Sequence, residues 1–356
     1  MYKSAIKTYL ITLLILIAGF YAIIFVSDPY MLFHKHWFHQ NKMYNNMRIQ
    51  NYGLIKFGKF DGIIIGTSML ENTSADEATK KFNNVRFANL SVSGGSYYER
   101  FKILNMALKT KKIKHVIMSF DYDFSHSGEI NTTFEPSLYS WNSIIGKAKI
   151  YSTNKALRCI FLNKQCDFIK FDINHPKAWY AKKIHNRRFG GFDNWIKFCK
   201  DDQIKDAFEQ LKSENNDYSV MMAYYKEVIN KEIIPLLQHE KTTFSIIIPP
   251  YSMLWWGKRK ASLSELFEPY VYLIQKTAAY KNVKIYWFYD ENYVSDITKY
   301  KDLTHYHHSI NSLQLDAIKN GTNIINSNNY QEKFTSFRDK INNFDIQSYI
   351  DKITNF

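Results

Sequence analysis

The stretch Asp61-Gly62-Ile63-Ile64-Ile65-Gly66-Thr67-Ser68-Met69-Leu70 decides how the rest of the chain is read. An apolar run ends in Gly-Thr-Ser, and a polar segment suited to starting a helix follows. A short run bounded this way reads as a buried parallel strand. Such a strand delivers its last residues to the sheet's carboxyl edge, where open α/β sheets place their ligands. Ser68 then sits in the turn, with its backbone N–H near a helix N-terminus, a place that favours developing negative charge. Serine is also a preferred helix cap, so this stretch alone leaves a cap and a nucleophile both open.

Working outward, Val85–Ser91, His115–Phe120, Thr242–Ile248 and Val283–Phe288 are further strands, and helices are expected at Asn72–Lys81, Tyr97–Leu108, Tyr218–His239, Ser264–Tyr280 and Ser309–Lys319. Strand and helix alternate, which predicts an α/β fold with about five parallel strands and right-handed crossovers. Ser125–Asp217 breaks the rhythm and reads as a large insertion after the third strand, with some helix near Asn194–Lys212. The expected organisation is a membrane anchor over residues 1–27, a juxtamembrane segment over 28–60, an α/β domain over 61–320 and a polar tail over 321–356, with a short helix near Tyr330–Ile341.

Tyr9–Val26 is an uncharged run of eighteen residues, at the short end of a membrane-spanning helix. It exceeds a usual signal-peptide core, and Phe25-Val26-Ser27-Asp28-Pro29 offers no small-x-small cleavage site. An uncleaved anchor is therefore favoured over a cleaved signal. Lys3 and Lys7 precede it and place the main domain across the membrane, while Lys35, Lys42 and Arg48 pull the other way. The aromatic, His-rich segment from Asp28 to Phe60 suits the membrane interface.

With 356 residues, 46% of them hydrophobic and 17% aromatic, the chain has material for a large core. The net charge of +14 is spread over scattered lysines with only short clusters such as Lys109–Lys114. This favours a solvated basic surface over nucleic-acid binding. Cys159, Cys166 and Cys199 match no common zinc spacing. Cys159 and Cys166 could close a small loop outside the cytoplasm, but three buried thiols is the preferred reading.

Asp302-Leu303-Thr304-His305 follows the fifth strand, at the same sheet edge as Ser68. Serine catalysis needs a base within reach of the hydroxyl and a carboxylate to hold that base in its tautomer. An Asp three residues before a His lets both side chains enter one cleft. Ser93-Gly94-Gly95 after the second strand can offer backbone donors to a ligand or form a plain turn, and the residues alone leave both open. His305 and His308 would share a helix face at i, i+3, but ligating histidines need further ligands around an open site, so no metal or cofactor is expected. Tyr251, Tyr289 and Trp255-Trp256 lie at strand ends, as core or as a stacking surface.

In these blocks the chain resembles the SGNH (GDSL-like) hydrolases. Gly66-Thr67-Ser68 is similar to the first block, with Thr67 in place of the usual Asp. Ser93-Gly94-Gly95 is similar to the second, and Asp302–His305 to the last. The likeness is closest to a membrane-anchored Gly-Thr-Ser branch related to alginate O-acetyltransferases and the D-alanyl-transfer protein of teichoic acid, and it covers residues 61–123 and 242–320. The resemblance implies a flavodoxin-like three-layer sandwich, Ser68 as nucleophile, His305 as base, Asp302 as its orienting acid, and an oxyanion hole from Ser68 and Gly94 or Gly95. It implies an O-acyltransferase or esterase on a surface glycan beyond the inner membrane, with a multi-span membrane acyltransferase as donor; a non-catalytic glycan-binding or assembly role is the alternative. The third block departs. Its usual Asn is replaced by Ser119-Phe120-Asp121-Tyr122-Asp123, where Asp121 and Asp123 are expected to meet an acceptor or hold a loop.

Overall fold

A computed structural model describes residues 2–38, 42–122, 131–140, 143–164, 166–170, 187–198 and 218–354. In chain order the apolar helix α1 (Tyr2–Ser27) is followed by β1 (Lys42–Tyr44), α2 (Met47–Phe57), β2 (Gly62–Ile65), α3 (Ser68–Glu71), α4 (Ala75–Lys81), β3 (Phe87–Asn89), α5 (Tyr97–Thr110) and β4 (His115–Ser119). Next come α6 (Ser143–Tyr151), α7 (Asn154–Leu162), β5 (Phe168–Lys170), α8 (Phe192–Phe198), α9 (Tyr218–Val228), α10 (Ile234–Leu237) and β6 (Thr243–Ile248). The chain closes with α11 (Met253–Gly257), α12 (Leu263–Thr277), β7 (Val283–Trp287), α13 (His308–Asn320), β8 (Ile324–Ile325), α14 (Tyr330–Asn342) and α15 (Gln347–Thr354).

The chain divides into two compact units, one built from residues 1–59, 102–111 and 131–172, the other from 60–101, 112–130 and 173–356. In the second unit a six-stranded sheet runs β3-β2-β4-β6-β7-β8. The first five strands are parallel, and β8 pairs antiparallel with β7. Numbered among themselves, the parallel strands lie in the order 2-1-3-4-5, so the topological switch falls beside β2. All five expected parallel strands are present. In the segment after Gly321, expected to be a polar tail, the short helix expected near Tyr330–Ile341 is present as α14, and β8 was not expected. The β7–β8 pairing, Ile285 with Ile325 and Tyr286 with Ile324, is too short to leave a sequence signal, since β8 has only two residues.

Alternation sorts the core. Ile64, Ile117, Ile247 and Tyr286 project to one face and pack with Leu70, Ala75 and Ala78, and with Leu315 and Ile318 of α13. On the opposite face, Trp287 meets Tyr270 of α12 and Phe334 of α14. With apolar residues on both faces the strands read as near-continuous Ile and Val runs, as buried parallel strands do. The helix expected over Tyr218–His239 is α9 and α10 joined by one wide turn, Ile229–Ile233. The helix expected around Asn194–Lys212 is described as α8, and its later part falls outside the described residues.

In the first unit, β1 and β5 form an antiparallel ladder. Asp28, fully buried after α1, accepts the N–H groups of Leu32, Phe33 and His34 at 2.8–2.9 Å and the Tyr151 hydroxyl. One carboxylate thus ties the end of α1 to the end of α6. Cys159 and Cys166 are bonded as a disulfide, which corrects the expectation of free thiols. Asn163 in the left-handed conformation ends α7 and turns the chain so that the two cysteines approach. Cys199 lies outside the described residues.

Candidate active site

The turn after β2 is fixed from three sides. A Cβ at Gly66 would collide with the Ser119 side chain and with Leu70, so only glycine fits there. Thr67 caps α3, its hydroxyl oxygen accepting Met69 N–H. The four-residue helix α3 is too short to be stable alone, and side-chain amides brace it: Asn89 Nδ2 donates to Leu70 O and Thr73 O, and Asn311 Nδ2 to Met69 O. Ser68 therefore opens a short helix whose carbonyls are held by two other elements.

The loop carrying Asp302 and His305 is pinned as closely. Lys301 N donates to His305 O, and His307 N to Lys299 O. The Tyr300 hydroxyl donates to Pro250 O, and both Ser252 N and Ser252 Oγ donate to Leu303 O. Segment 187–198 holds the same loop from its other end: Trp195 Nε1 donates to Tyr300 O at 2.7 Å and Gly190 N to Thr298 O.

These elements bring Ser68 Oγ to 2.9 Å from His305 Nε2, and His305 Nδ1 to 2.8 and 2.9 Å from the two Asp302 oxygens. Asp302 Oδ1 also accepts the N–H groups of His305 and Thr304. Burial works to raise the Asp302 carboxyl, but His305, its hydrogen bonds and Lys301 outweigh that and hold it well below the usual carboxylate range. An ionised carboxylate only accepts. His305 Nδ1 must therefore carry the proton, and Nε2 is left as the acceptor for the serine hydroxyl. Burial lowers the His305 pKa, Asp302 pulls it back up, and Lys301 and Arg188 add to the lowering. The imidazole is consequently a neutral base at neutral pH. The Asp302 and His305 side chains remain 18% and 24% exposed, so the chain of three opens to solvent.

Asp121, just after β4, is held by a full set of partners. Asp121 is 3% exposed. Its carboxylate accepts the Thr67 hydroxyl (2.9 Å), the Ser119 hydroxyl (2.6 Å) and Arg100 Nη1 (2.9 Å). Arg100 is equally buried, donates also to Ser119 O, and lies over the Tyr97 ring. Through the Thr67 hydroxyl, Asp121 holds the residue before Ser68. Asp123 lies outside the described residues. In the glycine block, Gly95 N donates to Val92 O (2.9 Å), which occupies that group in the turn. Gly94 beside it takes φ +58. Val92 N in turn donates to Gly66 O, so this loop runs beside the Ser68 turn.

Tyr251, Tyr289, Trp255 and Trp256 are buried in one aromatic cluster with Phe337; they are core. His307 caps α13, its Nδ1 accepting Ser309 N–H, and its ring lies against Phe189 and His308. Two cations went unnoticed in the sequence. Lys301 is buried beside Asp302, and burial pulls its ammonium down to about 8. Arg188, also buried, sits in the stretch taken as an insertion. The position of Lys301 next to Asp302 was a usable signal; nothing local marks Arg188.

In comparisons with known proteins, no family model and no curated protein matches this chain.

Proposed function

We propose that this chain is a membrane-anchored serine acyltransferase or esterase of the SGNH type, acting on hydroxyl groups of a cell-surface polysaccharide. The observation that carries the reading is the continuous chain Ser68 Oγ–His305 Nε2, His305 Nδ1–Asp302 at the carboxyl edge of a parallel sheet. The strand order 2-1-3-4-5 supports a flavodoxin-like sheet, in which ligands bind at the switch point; Ser68 follows the strand at that point. In the reaction, His305 takes the Ser68 proton as the oxygen attacks an acyl carbonyl, and Asp302 stabilises the imidazolium. The proton then passes to the leaving group. A sugar hydroxyl, or water, reverses the steps and releases Ser68. Among the described residues no acceptor meets the Ser68 N–H, which suits it to a developing oxyanion, with Gly94 or Gly95 as the second donor the resemblance assigns.

Localisation follows the same reading. Helix α1 is 26 residues long, strongly apolar and almost wholly exposed, and it anchors the chain in the inner membrane. The Cys159–Cys166 disulfide supports a main domain on the oxidising side, the periplasm or exterior. A multi-span acyltransferase is the proposed donor partner. Full-length protein in detergent should release acetate from an activated ester, and Ser68→Ala should abolish it. Loss of glycan acylation in cells carrying Ser68→Ala is the matching result for a strict transferase. Unchanged acylation there would sink the proposal.

A second reading, a non-catalytic glycan-binding or assembly protein of the cell envelope, is favoured by one observation. The position that supplies an Asn donor in the hydrolases is here a buried carboxylate paired with Arg100. That reading requires native glycan binding by Ser68→Ala and no covalent chemistry at Ser68.

A further inference from the structure

Eight large hydrophobic side chains outside α1 are exposed among the described residues, and six of them belong to the unit that carries α1: Trp37, Phe38, Ile144, Ile145, Phe161 and Leu162. Their exposure runs from 44% to 74%. Only Val220 and Leu313 fall in the larger unit. A concentration of this kind marks an interaction surface. The charge is as uneven. Within the segments that build the smaller unit the sequence places sixteen Lys and Arg against four Asp and Glu, a net of +12 out of the chain's +14.

Depth along α1 decides what covers this face. Phe161 of α7 stacks on Phe20 of α1, with ring centroids 5.5 Å apart. Phe20 lies six residues before Val26, the end of the uncharged run, which is about 9 Å down the helix. The run Tyr9–Val26 spans roughly 27 Å, no more than the hydrocarbon thickness it has to cross. Phe20 is therefore below the water boundary once α1 spans a bilayer. The end of α7 that packs on it is at the level of the acyl–headgroup boundary. Interfacial helices seat their apolar faces at this depth, with basic residues directed at the headgroups. Beside the apolar residues, Lys35, Lys149 and Arg158 are exposed.

We infer that the smaller unit is a membrane-seated platform: the ends of α6 and α7 and the Trp37-Phe38 loop insert into the interface of a bilayer rich in anionic lipid, and the lysines around them bind its headgroups. Membrane contact is then made by α1 and this face together. The inference stands apart from the serine chemistry and survives if Ser68 proves inert.

The test uses the full chain with Cys199→Ser, its disulfide intact, reconstituted into vesicles of phosphatidylcholine alone or mixed with phosphatidylglycerol. An environment-sensitive fluorophore is attached at Ile144→Cys, at Leu162→Cys or, as a control on an exposed position of α13, at Lys319→Cys. The expected result is blue-shifted emission at 144 and 162, with several-fold stronger quenching by a shallow lipid-borne quencher than at 319. That quenching increases with phosphatidylglycerol and weakens in high salt. Water-like emission at 144 and 162 in both vesicle types would overturn the inference. So would blue-shifted emission that the lipid-borne quencher leaves untouched, since a protein partner would then cover the face. Quenching indifferent to phosphatidylglycerol and salt would overturn its electrostatic half.

Discussion

Asp302 accepts two backbone N–H groups and the imidazole Nδ1–H with one carboxylate, so its charge both shapes the loop and sets the His305 tautomer. Asp302→Asn keeps the shape and loses the tautomer. The expected outcome is a fall of about a thousand- to ten-thousand-fold in kcat with near-unchanged circular dichroism. The pH dependence has a definite sign. Because burial, Lys301 and Arg188 lower the His305 pKa despite Asp302, the base is active above its lowered pKa. Activity is lost as pH falls through that value, below the ordinary imidazole range. Removing a cation that lowers the pKa must raise it. Arg188→Gln should therefore move the acid limb of the kcat/KM profile to higher pH, and Arg188→Lys should leave it near the wild-type position. An unmoved limb in Arg188→Gln would show that the arginine does not act on His305.

Among elements, the Ser68 turn depends on a buried ion pair one strand away. Asp121 accepts from Thr67, Ser119 and Arg100 at once. Asp121→Ala leaves the Arg100 charge buried without its carboxylate, which should cost about 3–5 kcal/mol of stability. Thr67→Val keeps the side-chain volume and removes the hydroxyl that links this pair to the Ser68 turn and caps α3. It should lower kcat more than it raises KM, with a stability loss of about 1 kcal/mol from the lost cap, smaller than that of Asp121→Ala; the split is read from steady-state kinetics beside calorimetry. Thr67→Ser should restore kcat. The parallel strands themselves could be read from runs such as Ile63–Ile65, Val116–Met118 and Ile246–Ile248, because buried parallel strands write themselves as apolar runs. The Asp121 contacts could not, because they join residues 54 and 21 positions apart through side chains. A carboxylate in place of the usual Asn looked like a loss at the sequence level. In three dimensions it is occupied in holding the turn.

For the whole molecule, the apolar N-terminal helix and the mostly parallel sheet were legible, but the smaller unit was not. It is assembled from three segments far apart in sequence, and no periodicity reports such an assembly. Its charge was visible only as a total of +14, which looked diffuse along the chain and is concentrated once the segments are grouped. The disulfide was left open for a related reason: two cysteines seven residues apart pair only if the turn between them lets their backbones approach and the compartment is oxidising. Reduction should destabilise this unit by about 2–3 kcal/mol, the amount expected for a closed loop of that length. Comparison of chemical denaturation with and without reductant measures it. Full protection of Cys159 and Cys166 from alkylation in intact cells, lost after reduction, would agree with an extracytoplasmic domain; free thiols at both positions would contradict it.

The most direct measurement of the central claim is covalent labelling of the full-length protein with a serine-directed fluorophosphonate, followed by intact mass and peptide mapping. An activated Ser68 displaces fluoride, and the phosphonyl group remains on its Oγ as hydrogen fluoride leaves. Stoichiometric addition at Ser68, absent in Ser68→Ala and much slowed in His305→Ala, is the predicted result. No adduct on wild-type protein that binds its glycan would contradict a working nucleophile and leave the binding role.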